Sequence, residues 1–178
     1  MSREVFLNKF TKGDVFENII ATKLLKAFNE PVHIFMSLRV KSPYLNKETE
    51  VDILLLTSFG VYCIEAKAMR SLLKGNLDDK MWIGKSGSYQ TRLYNPVFQN
   101  GTHVRALKHG IRQLGMEPPP IKGVICIPNG CVIESNASNI YTIGSLFAML
   151  ETDSVTKERK WDITLLKEYF DKVQLLSN

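Results

Sequence analysis

The sequence predicts an α/β fold in which helices flank a central mixed β-sheet. Three observations carry that expectation: apolar residues recur at helical spacing from Asp14 to Asn29, strand-like runs follow between Val32 and Ala66, and Asn95-Pro96 opens a second amphipathic helix that leads into further short strands. With 178 residues, 44% hydrophobic and 23% charged, the chain is long enough for one domain over 1–178 with a substantial core, and its composition excludes a disordered or collagenous protein.

The first helix rests on Val15, Phe16, Ile19, Ile20, Leu24, Ala27 and Phe28, and Pro31 ends it. Val32, Ile34, Met36, Leu38 and Val40 then alternate with His33, Phe35, Ser37 and Arg39, which predicts a strand with one apolar face. Val51–Thr57 and Gly60–Ala66 are rich in β-branched and apolar residues and are joined across Ser58-Phe59, the pattern of a hairpin. Weaker strand signals lie around Ser71–Asn76, Trp82–Ile83 and Tyr89–Leu93, in a polar stretch whose register the sequence does not fix, and Trp82 is expected in the core. Asn95 as N-cap and Pro96 in the first turn start a helix carrying Val104, Leu107, Ile111 and Leu114, with Gly115 as its stop. Ile121–Ile127, Cys131–Glu134 and Asn139–Ile143 read as short strands, Ser145–Leu150 as a short helix and Asp162–Leu176 as a final amphipathic helix.

Several function classes drop out. Met1–Phe10 mixes charged and apolar residues with no secretory h-region, and no apolar run approaches the roughly 20 residues of a membrane span, so a cytoplasmic location and no membrane partner are expected. Cys63, Cys126 and Cys131 are odd in number and form no Cys-x-x-Cys pair, which favours reduced core thiols over disulfides or a zinc site. Asn100-Gly101-Thr102 and Asn136-Ala137-Ser138 match the glycosylation pattern but lack a secretory context. Gly84-Lys85-Ser86 resembles part of a phosphate loop, yet Asp79 stands where its first glycine is required, so nucleotide binding there is rejected.

The chemistry concentrates between Glu50 and Lys67. Residues two apart on a strand share a face, so Glu65 and Lys67 point the same way. A hairpin centred between Ser58 and Phe59 sets Asp52 opposite Glu65, with side-chain bases about 4.5–5.5 Å apart. Two carboxylates so close repel unless a cation or a proton lies between them, and a hard ion such as Mg²⁺ suits oxygen ligands. Lys67 beside them could orient a water or stabilise charge on a phosphate. Charged strand residues are ordinarily a solvated face, and an exposed Glu65–Lys67 pair would be worth little. Against that reading, Val61 and Cys63 are apolar on the same face, and charge at the margin of a buried face is costly without a compensating partner.

Asp52 followed on the next strand by Glu65-Ala66-Lys67 resembles the PD-(D/E)xK nuclease signature. The wider pattern, with Glu17 on the first helix, Gly60-Val61, Trp82 and Asn95-Pro96-Val97-Phe98-Gln99, is similar to the NERD (nuclease-related) domain of that superfamily. The resemblance covers about residues 12–150, leaving 151–178 as a helical extension, and it implies a restriction-endonuclease-like fold. It also implies catalytic roles for Asp52, Glu65 and Lys67, accessory roles for Glu17 and Gln99, and Mg²⁺ or Mn²⁺ bound by Asp52, Glu65 and the Ala66 carbonyl. Phe16 departs from the glycine that commonly precedes the helix glutamate, and Met69, Arg70 and Ser71 depart from the glycine-containing segment after the lysine.

Read singly, Glu17 fits a solvated first-turn acid, and Gln99 an early-turn surface residue. His103, one turn after Gln99, fits a satisfied or exposed imidazole better than a site residue, and His33 and His109 have no partner at ligand spacing. Lys and Arg total 23 against 18 Asp and Glu, a net charge of +5 that permits a polyanionic partner. Arg105, Lys108 and Arg112 form one stripe of the second helix, and Lys74, Lys80, Lys85 and Arg92 are scattered before it, so a nucleic acid, DNA first, is the expected partner. The expected function is metal-dependent phosphodiester hydrolysis; its rival is a catalytically inactive module of the same fold that binds nucleic acid or protein.

Overall fold

The computed structural model of the chain describes residues 11–28, 32–43, 47–156 and 163–177. Met1–Phe10 and the expected helix boundaries at Asn29, Pro31 and Asp162 lie outside the described residues. Helix α1 (Lys12–Ala27) begins at a capping box, in which Thr11 Oγ1 accepts from the Asp14 amide and Asp14 Oδ2 accepts from the Thr11 amide at 3.2 and 2.7 Å. Strands β1 (His33–Lys41), β2 (Glu48–Thr57) and β3 (Gly60–Ala66) follow as an antiparallel meander. The next segments are β4 (Leu72–Lys74), β5 (Met81–Ser86), β6 (Tyr89–Tyr94) and helix α2 (Pro96–Gln113). Strands β7 (Ile121–Ile127), β8 (Val132–Glu134) and β9 (Ile140–Thr142), then helices α3 (Ile143–Thr156) and α4 (Thr164–Ser177), complete the order.

One mixed sheet was expected from the sequence; the described residues form two. The first runs β1-β2-β3-β7-β9, with β7 parallel to both β3 and β9. The polar stretch after Lys67 builds the second, ordered β6-β5-β4-β8, whose β4–β8 pairing is parallel and joins residues about sixty positions apart. α3 is longer than the predicted Ser145–Leu150, because Thr142 caps its first turn and only Leu146 and Leu150 need burial.

Alternation along β2 and β3 sorts the core into two clusters. Leu54, Leu56, Val61 and Cys63 pack with Ala106, Leu107 and Ile111 of α2 and Leu166 and Phe170 of α4. Ile53, Leu55, Tyr62 and Ile64 pack with Phe16, Ile20 and Leu24 of α1 and Leu146 and Leu150 of α3. A third cluster, Leu73 and Trp82 against Ile125 and Ile127, joins the two sheets and holds Trp82 at 1% exposure.

β1 does not keep the single apolar face that its alternation predicts. Ile34 lies with the α1 cluster, whereas Phe35, Leu38 and Val40 all lie with the α2–α4 cluster. The reversal falls at Ser37, which has φ +49°, and the β1–β2 ladder skips the pair between Met36↔Ile53 and Leu38↔Val51. The skipped partner of Ser37 is Asp52.

Candidate active site

The β2–β3 ladder pairs Ile53↔Ile64, Leu54↔Cys63 and Leu55↔Tyr62, the register expected from a turn at Ser58-Phe59. One step beyond Ile53↔Ile64, where the strands part, Asp52 meets the end of β3 and its Oδ2 accepts from the Ala66 amide at 2.8 Å. Lys67, the next residue, stays tied to the sheet through its amide, which donates to Cys126 O at 2.9 Å.

Glu65 is 1% exposed and central to the cluster. Its Oε1 lies 2.6 Å from Lys67 Nζ and its Oε2 lies 3.0 Å from His103 Nε2. Neither contact is aligned as a hydrogen bond, so both carboxylate oxygens lack a hydrogen-bond partner among the described residues. Lys67 Nζ also donates to Gln99 Oε1 at 3.1 Å, and His103 Nδ1 lies 2.7 Å from Thr49 Oγ1.

Two hooks bring α2 to this place. Asn95, fully buried, caps the helix by accepting from the Val97 and Phe98 amides, and its Nδ2 donates to Leu77 O and Asp79 O at 3.0 and 2.8 Å. One turn later Asn100 Nδ2 donates to Cys63 O and Val124 O, both at 3.0 Å, bridging parallel strands β3 and β7. The fit demands a bare backbone below it: a Cβ on Gly123 would come within 2.3 Å of Asn100 Oδ1. With α2 anchored there, Gln99 reaches Lys67 and His103, one turn later, reaches Glu65. Burial of Asn100 also removes it as a glycosylation acceptor.

Acidic charge accumulates around the site. Burial first, and then the neighbouring Glu65, raise the Asp52 carboxyl to about 6, despite the opposing Ala66 amide, Lys67 and His103. Glu17 of α1 is raised to about 7 by burial and then by Asp52, Asp14, Glu50 and Glu65. Both carboxyls are raised first by burial and only then by their acidic neighbours.

Asp52, Glu65, Lys67 and Gln99 are thus direct neighbours, and Glu17 reaches them through charge. His103 is the residue that sequence reading undervalued; its spacing from Gln99 was the available signal, and only the docking of α2 shows that the imidazole is buried. The stripe Arg105, Lys108 and Arg112 is not part of this cluster. At about 100° per residue it lies roughly half a turn around α2 from His103, with Arg105 Nη2 donating to Thr102 Oγ1 at 3.0 Å and Arg112 Nη2 3.7 Å from Glu117 Oε1. The segment that departs from the resemblance folds into the join between the sheets: the Arg70 amide donates to Ser86 Oγ and the Ser71 amide to Lys85 O, while Phe16 is 6% exposed in the core.

The family model of the nuclease-related domain, NERD, matches residues 12–128, more than half of the chain. The chain belongs to the NERD family. No curated protein and no solved structure matches significantly. The match spans Glu17, Asp52, Glu65-Ala66-Lys67 and Gln99, and the mixed α/β architecture of this NERD chain is of the restriction-endonuclease-like kind. Among the described residues no helix is long and apolar enough to cross a membrane.

The donor set suits a hard divalent ion. Among the described residues no three His, Cys, Asp or Glu side chains form a ready metal cage. Mg²⁺ does not need one, since one or two carboxylates with water and substrate oxygens suffice. The carboxylates such an ion would use are Asp52 and Glu65, and Glu65 already faces Lys67 Nζ at 2.6 Å and His103 Nε2 at 3.0 Å.

Proposed function

We propose that this NERD domain hydrolyses phosphodiester bonds, with DNA as substrate and Mg²⁺ or Mn²⁺ as cofactor. Asp52, Glu65 and the Ala66 carbonyl would hold the ion, which would supply a more acidic water and charge stabilisation at the phosphate. Lys67, steered by Glu65 and Gln99, holds an ammonium where the attacking water and the phosphate meet, and there it opposes the negative charge that grows in the transition state. Gln99 limits the rotamers of Lys67, and His103 backed by Thr49 limits those of Glu65. Glu17 adds to the negative field that attracts the cation. The observation that carries this reading is the buried Glu65 carboxylate flanked by Lys67 and Asp52 at the point where β2 and β3 separate. A structural ion pair explains Glu65 with Lys67, but not the placement of Asp52 and the half-buried Glu17 beside the same buried carboxylate.

The test is Lys67→Met, which keeps most of the apolar stem and removes the ammonium. Mg²⁺-dependent cleavage of DNA should fall at least roughly a hundredfold while Mn²⁺ affinity stays near wild type. Wild-type protein that cleaves neither single-stranded, duplex nor nicked DNA would refute the enzymatic reading in favour of a binding module.

A further inference from the structure

The basic residues that look scattered in the sequence converge on one sheet face. In the second sheet Lys74, Ile83 and Arg92 form one cross-strand row, Leu72, Lys85 and Gln90 the next, and Met81 with Tyr94 the last. All of these point away from the core, because the opposite parity, Leu73, Trp82 and Leu93, packs against Ile125 and Ile127. Met81 and Tyr94 are 37% and 45% exposed, and Arg92 and Gln90 are open to solvent. Among the described residues Lys74 on this face is paired, its Nζ lying 2.7 Å from Glu134 Oε2.

The Tyr94 edge of this face abuts the first turn of α2, the turn that also carries Gln99. Tyr94 is two residues before α2, and its ring centroid lies 6.4 Å from that of Phe98, 39% exposed in the first turn. Phe98 is followed by Gln99, which holds Lys67. On the same flank of α2, Thr102 Oγ1 donates to Phe98 O, and Arg105 Nη2 donates to Thr102 Oγ1, which holds the guanidinium on the side of the helix that carries Phe98. Two exposed aromatic rings, with Arg92 one row away on the sheet face, Lys85 in the row beyond it and Arg105 on α2, suit bases with free π-faces joined by a polyanionic backbone. A duplex hides those π-faces in its stack.

We infer that the open face of the four-stranded sheet, with Tyr94 and Phe98 at its edge, binds single-stranded DNA and leads it to the Lys67–Gln99 centre. The binding surface stands independently of catalysis; only the destination of the strand rests on the nuclease reading. Phosphates lie along Lys85, Arg92 and Arg105, and unstacked bases lie on Tyr94 and Phe98.

The test measures binding of a fluorescein-labelled thymidine oligomer of about 16 nucleotides, and of a duplex of equal length, to the full chain in EDTA. Tyr94→Ala with Phe98→Ala should weaken single-strand binding at least about thirtyfold and duplex binding much less, while Tyr94→Trp retains single-strand affinity. Lys85→Ala with Arg92→Ala should lower the single-strand salt slope by up to about 1.4, and Lys172→Ala on α4 should leave it unchanged. Undetectable single-strand binding at low salt, equal losses for single strand and duplex, or an unchanged salt slope would each overturn the proposal. Binding with this pattern but no cleavage would refute the nuclease reading alone; cleavage indifferent to Tyr94, Phe98, Lys85 and Arg92 would refute the platform alone.

Discussion

His103 Nε2 lies 3.0 Å from Glu65 Oε2, with the two side chains 4% and 1% exposed. A buried carboxylate that loses such a neighbour retains its desolvation cost. His103→Leu should therefore lower stability by about 1–3 kcal/mol in urea unfolding with EDTA, and His103→Gln, which restores a nitrogen donor, should recover part of that loss. Equal losses for the two variants would show that the imidazole acts only by filling space.

The raised acids give the metal-free protein a distinctive pH profile. Glu17 and Asp52 bind their protons more tightly when folded, at about 7 and about 6, than at their ordinary values of 4.5 and 3.8. Between those limits the native state holds more protons than the unfolded state, so stability declines as pH rises through that window and levels off above it. Melting temperature in EDTA should fall from about pH 5 to about pH 8, and Glu17→Gln should flatten the fall. A melting temperature that rises over that range would contradict the crowding of acids.

Mn²⁺ should reverse that penalty. At a hundredfold excess over its dissociation constant, an ion that binds only the folded chain stabilises it by about 2.7 kcal/mol, read as a rise in melting temperature. Glu65→Gln should remove the rise. If wild type and variant shift equally, the ion sits elsewhere.

Ser37 holds φ +49° opposite Asp52, a left-handed conformation that strains any residue with a Cβ. Ser37→Gly should leave stability unchanged or raise it by up to about 1 kcal/mol, whereas Ser37→Val should lower it by more than about 1 kcal/mol. Equal melting temperatures for the two variants would mean that this backbone conformation is not retained in solution.

The hairpin was legible from sequence because its information is local: a two-residue turn and alternation fix which of Ile53, Leu54, Cys63 and Ile64 share a face. The reversal in β1 was not legible, since Met36, Ser37 and Leu38 still alternate in hydrophobicity while one left-handed serine exchanges their faces. The second sheet escaped for a different reason. Its strands β4 and β8 are three residues each and are aligned by a parallel pairing far apart in the chain, which no local pattern records. His103 reads as an ordinary helix residue until Asn95 and Asn100 fix where α2 docks.

The seat of Asn100 over Gly123 limits how this chain can change by descent. Any side chain at position 123 would collide with Asn100 Oδ1, and a smaller residue at 100 would free the Cys63 and Val124 carbonyls that the amide now bridges. The two positions are therefore mutually constrained: position 100 must shrink before position 123 can grow, and the intermediate holds Gln99 and His103 less firmly over Lys67 and Glu65. Evolution at these two positions therefore acts on the docking of a whole helix rather than on either residue alone.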